Sequence, residues 1–398
     1  MLLADTLAVG AAGGAAPGAE GVLAAARRMG AGKEAPVLGT AERLPAPAAA
    51  FVNGFRIHAL EWDAVHEGAV VHAMSVVTAA VHAVAHREQR SAEEAFLALA
   101  VGVEVACRLG LAATGPMRFF RPAVAGLYGA ALAAARLVPE ARAEAALGLA
   151  HAQAAGTMQA HVEGSPALAL QIAHAARAAV TAADLAAAGL DGPRDPLEGP
   201  FGHFSLFETG RAEAAADALG SRWHLADISV KPWPCGRASH GTLSVLAGRP
   251  AGSVGRVEAR LPPLAFRLVA RPWREDMTPA WARLCLPFLS ALMLAEGRID
   301  PRRFTAETFR DRALHALGRR IEAVAEPHPD PNALYPQTIL LDGTAHEVRA
   351  ALGSPEAPLA PAALREKLAL ALSLAPGPVA DADGLLAAPA AQLAGTPA

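Results

Sequence analysis

Lysine and cysteine are both scarce in this chain of 398 residues, with three of each. The cysteines, Cys107, Cys235 and Cys285, lie far apart and never form a CxxC pair. That excludes a disulfide scaffold, and it points to neither a zinc site nor a redox couple. Aromatic residues make up 5% and charged residues 18%. With 53% hydrophobic residues, so little charge excludes a disordered chain. An excess of one sign is also missing. Lys plus Arg number 35 and Asp plus Glu 38, a net charge of −3, which argues against a basic nucleic-acid binder. No Gly-X-Y period and no internal repeat of fixed spacing occur. Long charge-free runs do occur, at 68–86 and 145–162. Both are about long enough to span a bilayer. Both are Ala-dominated and carry several His or Gln, so they read as buried core helices. The first residues, MLLADTLAVG, place an acid at Asp5 and offer no basic n-region, so no signal peptide is expected and cytoplasm is the default.

At this length a single core stops growing, which predicts two domains. Helical spacing of apolar residues, with Ala filling the rest, predicts helices over 69–88, 92–109, 122–138, 140–158 and 166–189. After about 225 the pattern changes. The stretches 254–270 and 337–349 read as short strands, with Asp342-Gly343 as a hairpin signal between two pieces. Residues 278–296 and 305–325 read as helices, and 361–373 and 382–395 as helices that return to the first domain. The tail 374–398 is rich in Ala, Pro and Gly and is expected to fray. The predicted architecture is mainly α: a helical domain over 1–224, completed by 355–398, and a smaller α+β lid over 225–354.

Common signatures are missing as well: no GxGxxG, GxxxxGK[ST], GxSxG or HExxH occurs. His82 and His86, at i and i+4, have no third ligand nearby in sequence and read as structural. Four segments carry the chemistry. His58, His66, His72, His82 and His86 lie within 29 residues, with Glu61, Asp63 and Glu67 among them. A carboxylate beside an imidazole is what proton abstraction requires, the one holding the tautomer and the other moving the proton. The segment 228–242, ISVKPWPCGRASHGT, gathers Lys231, Arg237 and His240 on a proline-stiffened loop suited to gripping carboxylates. The segment 161–177 reads as a Gly-Ser turn opening a helix. In 118–126, Arg118 and Arg121 precede a helix opened by Pro122.

Together these segments resemble, in order, the 2-methylcitrate dehydratase (MmgE/PrpD) family, which includes cis-aconitate decarboxylase and iminodisuccinate epimerase. FVNGFRIHALEWDAVHEGAVVHAMS resembles FVNGTxAHALDFDDTHxxxxxHPS, and RFFRPAVAGLYGAALAAARL resembles GFHPTxxxGxxGAAxAAxxL. VEGSPALALQIAHAARAAV resembles EGSxAKRLHxGxAAxxGxx, and KPWPCGRASHGTLSV resembles KPYPCCRxTHxxIDA. LCLPFLSALMLAEGRI resembles FSLPYxxAxALxxGxV, and GSPEAPLAPAALREKL resembles GxPxNPLxxxxLxxKF. The resemblance covers nearly the whole chain, and relative to it the N-terminus reads as short by about a helix.

The resemblance implies a homodimer of helical domain plus lid, with the active site between them and neither metal nor cofactor needed. It implies a small di- or tricarboxylate substrate, and loss of water or CO2, or epimerisation, after a proton is taken from carbon beside a carboxylate. Residue by residue, it assigns catalysis to His72, oriented by Glu61 or Asp63, with His240 as second proton donor. It assigns substrate binding to Lys231 and Arg237, to which Arg121, whose guanidinium suits a carboxylate, and Gln171 are added as candidates. Four positions depart from the pattern. Arg121 stands where the family has His, and Leu168 where it has Lys. Gln171 falls near a second family His, and Gly236 at a Cys or His. These changes argue against 2-methylcitrate dehydratase activity itself. An epimerase, or a binder of small acids or of a partner protein without catalysis, remains an alternative.

Overall fold

Alanine is the strongest helix former and the smallest side chain that is not glycine, so the helices it builds can approach closely. In a computed structural model, which describes residues 1–394, the chain is mainly α with one small mixed sheet toward its C-terminal half. Helices Ala46–His58, Ala73–Arg87, Ala92–Leu111, Arg121–Leu137 and Ala167–Ala187 form the centre of the helical part. The Ala92–Leu111 helix starts at a capping box, where Glu94 N–H donates to Ser91 Oγ at 3.2 Å and Ser91 N–H to Glu94 Oε2 at 3.0 Å.

Where Ala92–Leu111 crosses Arg121–Leu137, two glycines meet. A Cβ on Gly129 would lie 2.1 Å from the Gly102 carbonyl oxygen. Propensity alone says Gly129→Ala should stabilise the helix by about 1 kcal/mol. The backbone contact reverses the sign, and we expect a net loss of about 1–3 kcal/mol from forced separation of the helices. Urea unfolding measures it; an unchanged or higher midpoint would refute the close-approach reading.

The expected 69–88 helix begins later, at Ala73, because residues 67–70 form a turn, closed by a bridge between His66 and Val71, in which Val70 takes a left-handed φ of 53°. The expected 140–158 helix stops at His151. In the sheet, Val257–Leu261 lies between Ile321–Ala325, which is parallel, and Gln337–Leu341, which is antiparallel; Thr344–Val348 forms the far edge. The hairpin turns at Asp342-Gly343, with φ of 48° and 87°. Two expectations fail here. Residues 263–269 are helix, because Pro263 sits at a helix start and cannot donate to a ladder. The 305–325 stretch holds helices Ala306–Phe309 and Arg312–Gly318, then turns into the edge strand.

Buried apolar side chains gather in two clusters. One draws on residues 3–230 together with Leu364, Leu368, Ala371, Leu385 and Leu393; the other runs from Cys235 to Val348 and also takes in Val70 and Met117. Much of the tail expected to fray is thus anchored by Leu385 and Leu393; residues 395–398 lie outside the described residues. No helix of the described residues is long and apolar enough to cross a membrane.

Candidate active site

The site is built where the end of one helix, a strained loop and the start of another helix converge. His58 closes the Ala46–His58 helix, and His72 is the residue before the first turn of Ala73–Arg87. Between them, a two-residue ladder pairs Val65–His66 with Ile228–Ser229, which fixes the loop beside the chain leading to Lys231.

Asp63 is fully buried and organises the centre. His58 Nδ1 lies 2.9 Å from Asp63 Oδ2, and because a carboxylate only accepts, that nitrogen carries the proton. Ser75 Oγ donates to the same oxygen. His72 Nδ1 lies 3.0 Å from it, off the hydrogen-bonding line, and the two rings meet edge to face at 4.8 Å. His58 Nδ1, Asp63 Oδ2 and His72 Nδ1 also form a set of the type that could hold a metal ion. The 2.9 Å between His58 Nδ1 and Asp63 Oδ2 is that of a proton-bridged pair. A second such set, His66, His224 and Asp227, stands apart from this centre. There His66 Nδ1 accepts from Ala69 N–H, so the neutral ring carries its proton on Nε2.

The two imidazoles on Asp63 are driven in opposite directions. Burial disfavours charge on both. At His58 the carboxylates of Asp63 and Glu61 outweigh burial and raise its pKa. At His72 burial prevails over Asp63, the Lys231 charge adds to it, and the pKa falls. The helix dipoles act in the same senses, since His58 ends a helix and His72 begins one. Asp63 itself is held well below the usual carboxylate range: burial opposes this, but both imidazoles favour the anion. Groups whose surroundings push their pKa values apart divide into acid and base.

Glu61 adopts φ 52°, a left-handed conformation that a glutamate rarely takes. Lys231 holds it there from two sides, with Nζ 3.0 Å from the Glu61 carbonyl and 3.1 Å from Oε2. Burial would raise the Glu61 pKa, yet Lys231 and the imidazoles bring it down to about 2. Glu61, Leu168 and Leu284 are shared by the linings of two neighbouring cavities. His72 lines the first and His58 the second.

The other sequence candidates are placed less directly. Arg237 lines the first cavity but donates to Glu67 at 2.7 Å and to the carbonyls of Ala351 and Leu352. His240 is fully buried and lines neither cavity; its Nε2 lies 3.4 Å from Cys235 Sγ, and burial with Arg237 and Lys231 keeps it neutral. Arg121 is turned away from both cavities into a bidentate pair with Glu208, at 2.7 and 3.0 Å, and also donates to Asn332. Gln171 accepts from Thr157 N–H at 2.6 Å and holds that loop. The cavities add residues that the sequence candidates omitted. His161 lines the first, with burial and then Arg271 lowering its pKa to about 4. Arg283 lines the second. His58 had a sequence signal, standing five residues before Asp63 in the histidine cluster; His161 and Arg283 belong to no catalytic pattern.

Models of the MmgE/PrpD N-terminal and C-terminal domains match residues 1–215 and 234–381. A cis-aconitate decarboxylase-like protein of Aspergillus oryzae is 32% identical over 267 residues, covering 62% of this chain and 55% of that protein. Human cis-aconitate decarboxylase is 27% identical over 320 residues, covering 74% and 65%. The Aspergillus terreus enzyme of that name is 32% identical over 251 residues, covering 58% and 49%. The chain thus spans about half to two thirds of the length of the curated relatives it matches.

Proposed function

The chain belongs to the MmgE/PrpD family, and on that premise we propose that it is a lyase of dehydratase or decarboxylase type. Its substrate is a small di- or tricarboxylate, and its first step takes a proton from carbon beside a carboxylate. The observation that carries this reading is the single Asp63 oxygen shared by two imidazoles of opposite tendency. His72, neutral near pH 7, presents Nε2 as the base. The imidazolium it becomes is stabilised by Asp63. His58, whose tendency to hold a proton the carboxylates raise, and Lys231 behind Glu61 supply positive potential toward the enolate-like charge that develops, which is worth most in a site closed to water. Relatives named cis-aconitate decarboxylase support the lyase assignment.

One observation favours a second reading. His72 lines one cavity and His58 the other, with Glu61 common to both, an arrangement that suits two-base epimerisation of a small imino or amino diacid.

The test is a thermal-shift panel of citrate, 2-methylcitrate, cis-aconitate, itaconate, tartrate, aspartate and iminodisuccinate, with each hit followed by proton NMR in D2O. A ligand at a hundred times its Kd stabilises by about 2.7 kcal/mol, which such a screen detects. Elimination or CO2 loss is the expected result. Solvent deuterium at an α-carbon without elimination would favour the epimerase. No shift with any of these acids would defeat both.

A further inference from the structure

The buried cations around the two cavities are mostly spent. Lys231 is paired with Glu61, Arg237 with Glu67 and Arg121 with Glu208. A substrate carboxylate seated on any of them would have to displace a protein carboxylate already in place. Arg283 differs. It is 2% exposed, its Nε donates to the Leu60 carbonyl at 2.9 Å, and its guanidinium lies 4.4 Å from the centre of the Phe304 ring. It makes no ion pair among the described residues. The carboxylate whose charge reaches it, Glu61, is held by Lys231. A buried guanidinium without a counter-ion, lining a cavity, is a seat for an anion.

Besides Glu61 and His58, engaged by Lys231 and Asp63, and the hydroxyls of Ser165 and Thr278, hydrogen-bonded within the protein, the rest of that cavity is apolar. Phe55, Pro166, Leu168, Ala169 and Leu284 line it. A second charged arm placed against these side chains would lose its hydration and find no partner there. A hydrocarbon arm would gain from the same surface.

We propose that this cavity receives a C-alkylated dicarboxylate: one carboxylate on Arg283, a short alkyl arm against Leu168 and its neighbours, and the reacting carbon beyond Glu61 toward His72. The placement of the reacting carbon rests on the lyase reading; the choice of arm does not. Leu168 is the residue that selects the arm, because its side chain faces both cavities where a cation would instead admit a third carboxylate.

A matched series tests this. cis-Aconitate is maleate carrying a carboxymethyl arm; methyl-, propyl- and butylmaleate carry alkyl arms on the same frame. Affinities are measured by titration calorimetry on the full chain near neutral pH at fixed ionic strength. Each added methylene should tighten binding about fourfold. Propylmaleate should bind at least about tenfold tighter than cis-aconitate. Leu168→Lys, at a position where the longer side chain can reach cavity space, should reverse that ranking. Arg283→Gln should weaken every member at least about tenfold, with the ligand-free melting curve checking that the variant folds.

A series flat in chain length, a preference for cis-aconitate, no binding by any member, or an unchanged ranking in Leu168→Lys would each overturn the assignment. Proton NMR in D2O on the same samples separates this from the lyase reading. Alkylmaleates that bind in the expected order without any exchange or turnover would sink the lyase and leave the cavity assigned. Turnover of cis-aconitate with a flat alkyl series would do the reverse.

Discussion

Replacing Asp63 with Asn is expected to lower kcat by about 10³- to 10⁴-fold, the scale seen when a histidine loses the carboxylate that fixes its tautomer. The amide keeps the shape but removes the charge that His58, His72 and Ser75 all address through one oxygen. It also offers a donor where His58 presents its N–H. His72→Ala should cost at least about 10²-fold; a loss below threefold would remove His72 from the mechanism. Because the two residues act as one unit, the double variant should be little worse than the more damaging single change.

The pH dependence gives an independent reading. The proposed mechanism needs His72 neutral and His58 protonated. His72 is held below the ordinary imidazole value of 6.5, so its protonation sets an acid limb below that value. His58 is held above it, so its deprotonation sets an alkaline limb above. The pair is coupled, and the two limbs report the pair. In Asp63→Asn the alkaline limb should move toward acid, since His58 loses the larger of the two carboxylate charges that keep it protonated. A profile that keeps both limbs in place would mean that these imidazoles are not the titrating groups.

How far the sequence reached depends on the distance over which each signal acts. The mainly helical class was legible because Ala-rich spacing is local and repeated. The Asp342-Gly343 turn was legible because two residues there must take positive φ. The cluster from Glu61 to His72 was legible because its members are neighbours in the chain. Arg121 reads from sequence as a substrate cation, because its partner Glu208 stands 87 residues away, with no spacing to announce it. His161 and Arg283 reach the cavities through tertiary packing alone. The 263–269 helix is not legible in sequence, because an apolar run following a strand does not reveal its period without Pro263 as a helix start.

The scarcity of lysine gains its meaning from Lys367, which with Lys231 makes two of the three lysines buried. Lys367 Nζ lies 2.5 Å from Asp5 Oδ1 and 3.3 Å from the Trp62 carbonyl, directly between Glu61 and Asp63 in sequence. It therefore joins the Leu2–Ala12 helix, which carries Asp5, and its own Pro361–Leu372 helix to the strained loop of the site. Lys367→Met should destabilise the protein by about 3–5 kcal/mol, because Asp5 is left as an uncompensated buried charge. The deficit should depend on pH with a definite sign. Burial already raises the Asp5 pKa above its ordinary value of 3.8 despite Lys367, and loss of Lys367 raises it further. A folded-state pKa above the unfolded one means that the native state binds the extra proton, so stability falls as pH rises through that window. The variant should accordingly lose more stability near pH 8 than near pH 5, as read by urea unfolding. Asp5→Asn/Lys367→Met removes both charges and should recover most of the stability, because no unpaired ion remains. It should not recover kcat, because the donor on the Trp62 carbonyl is still missing and the loop that carries Glu61 and Asp63 is no longer held from behind. A double variant restored in both stability and turnover would show that the pair serves the fold alone.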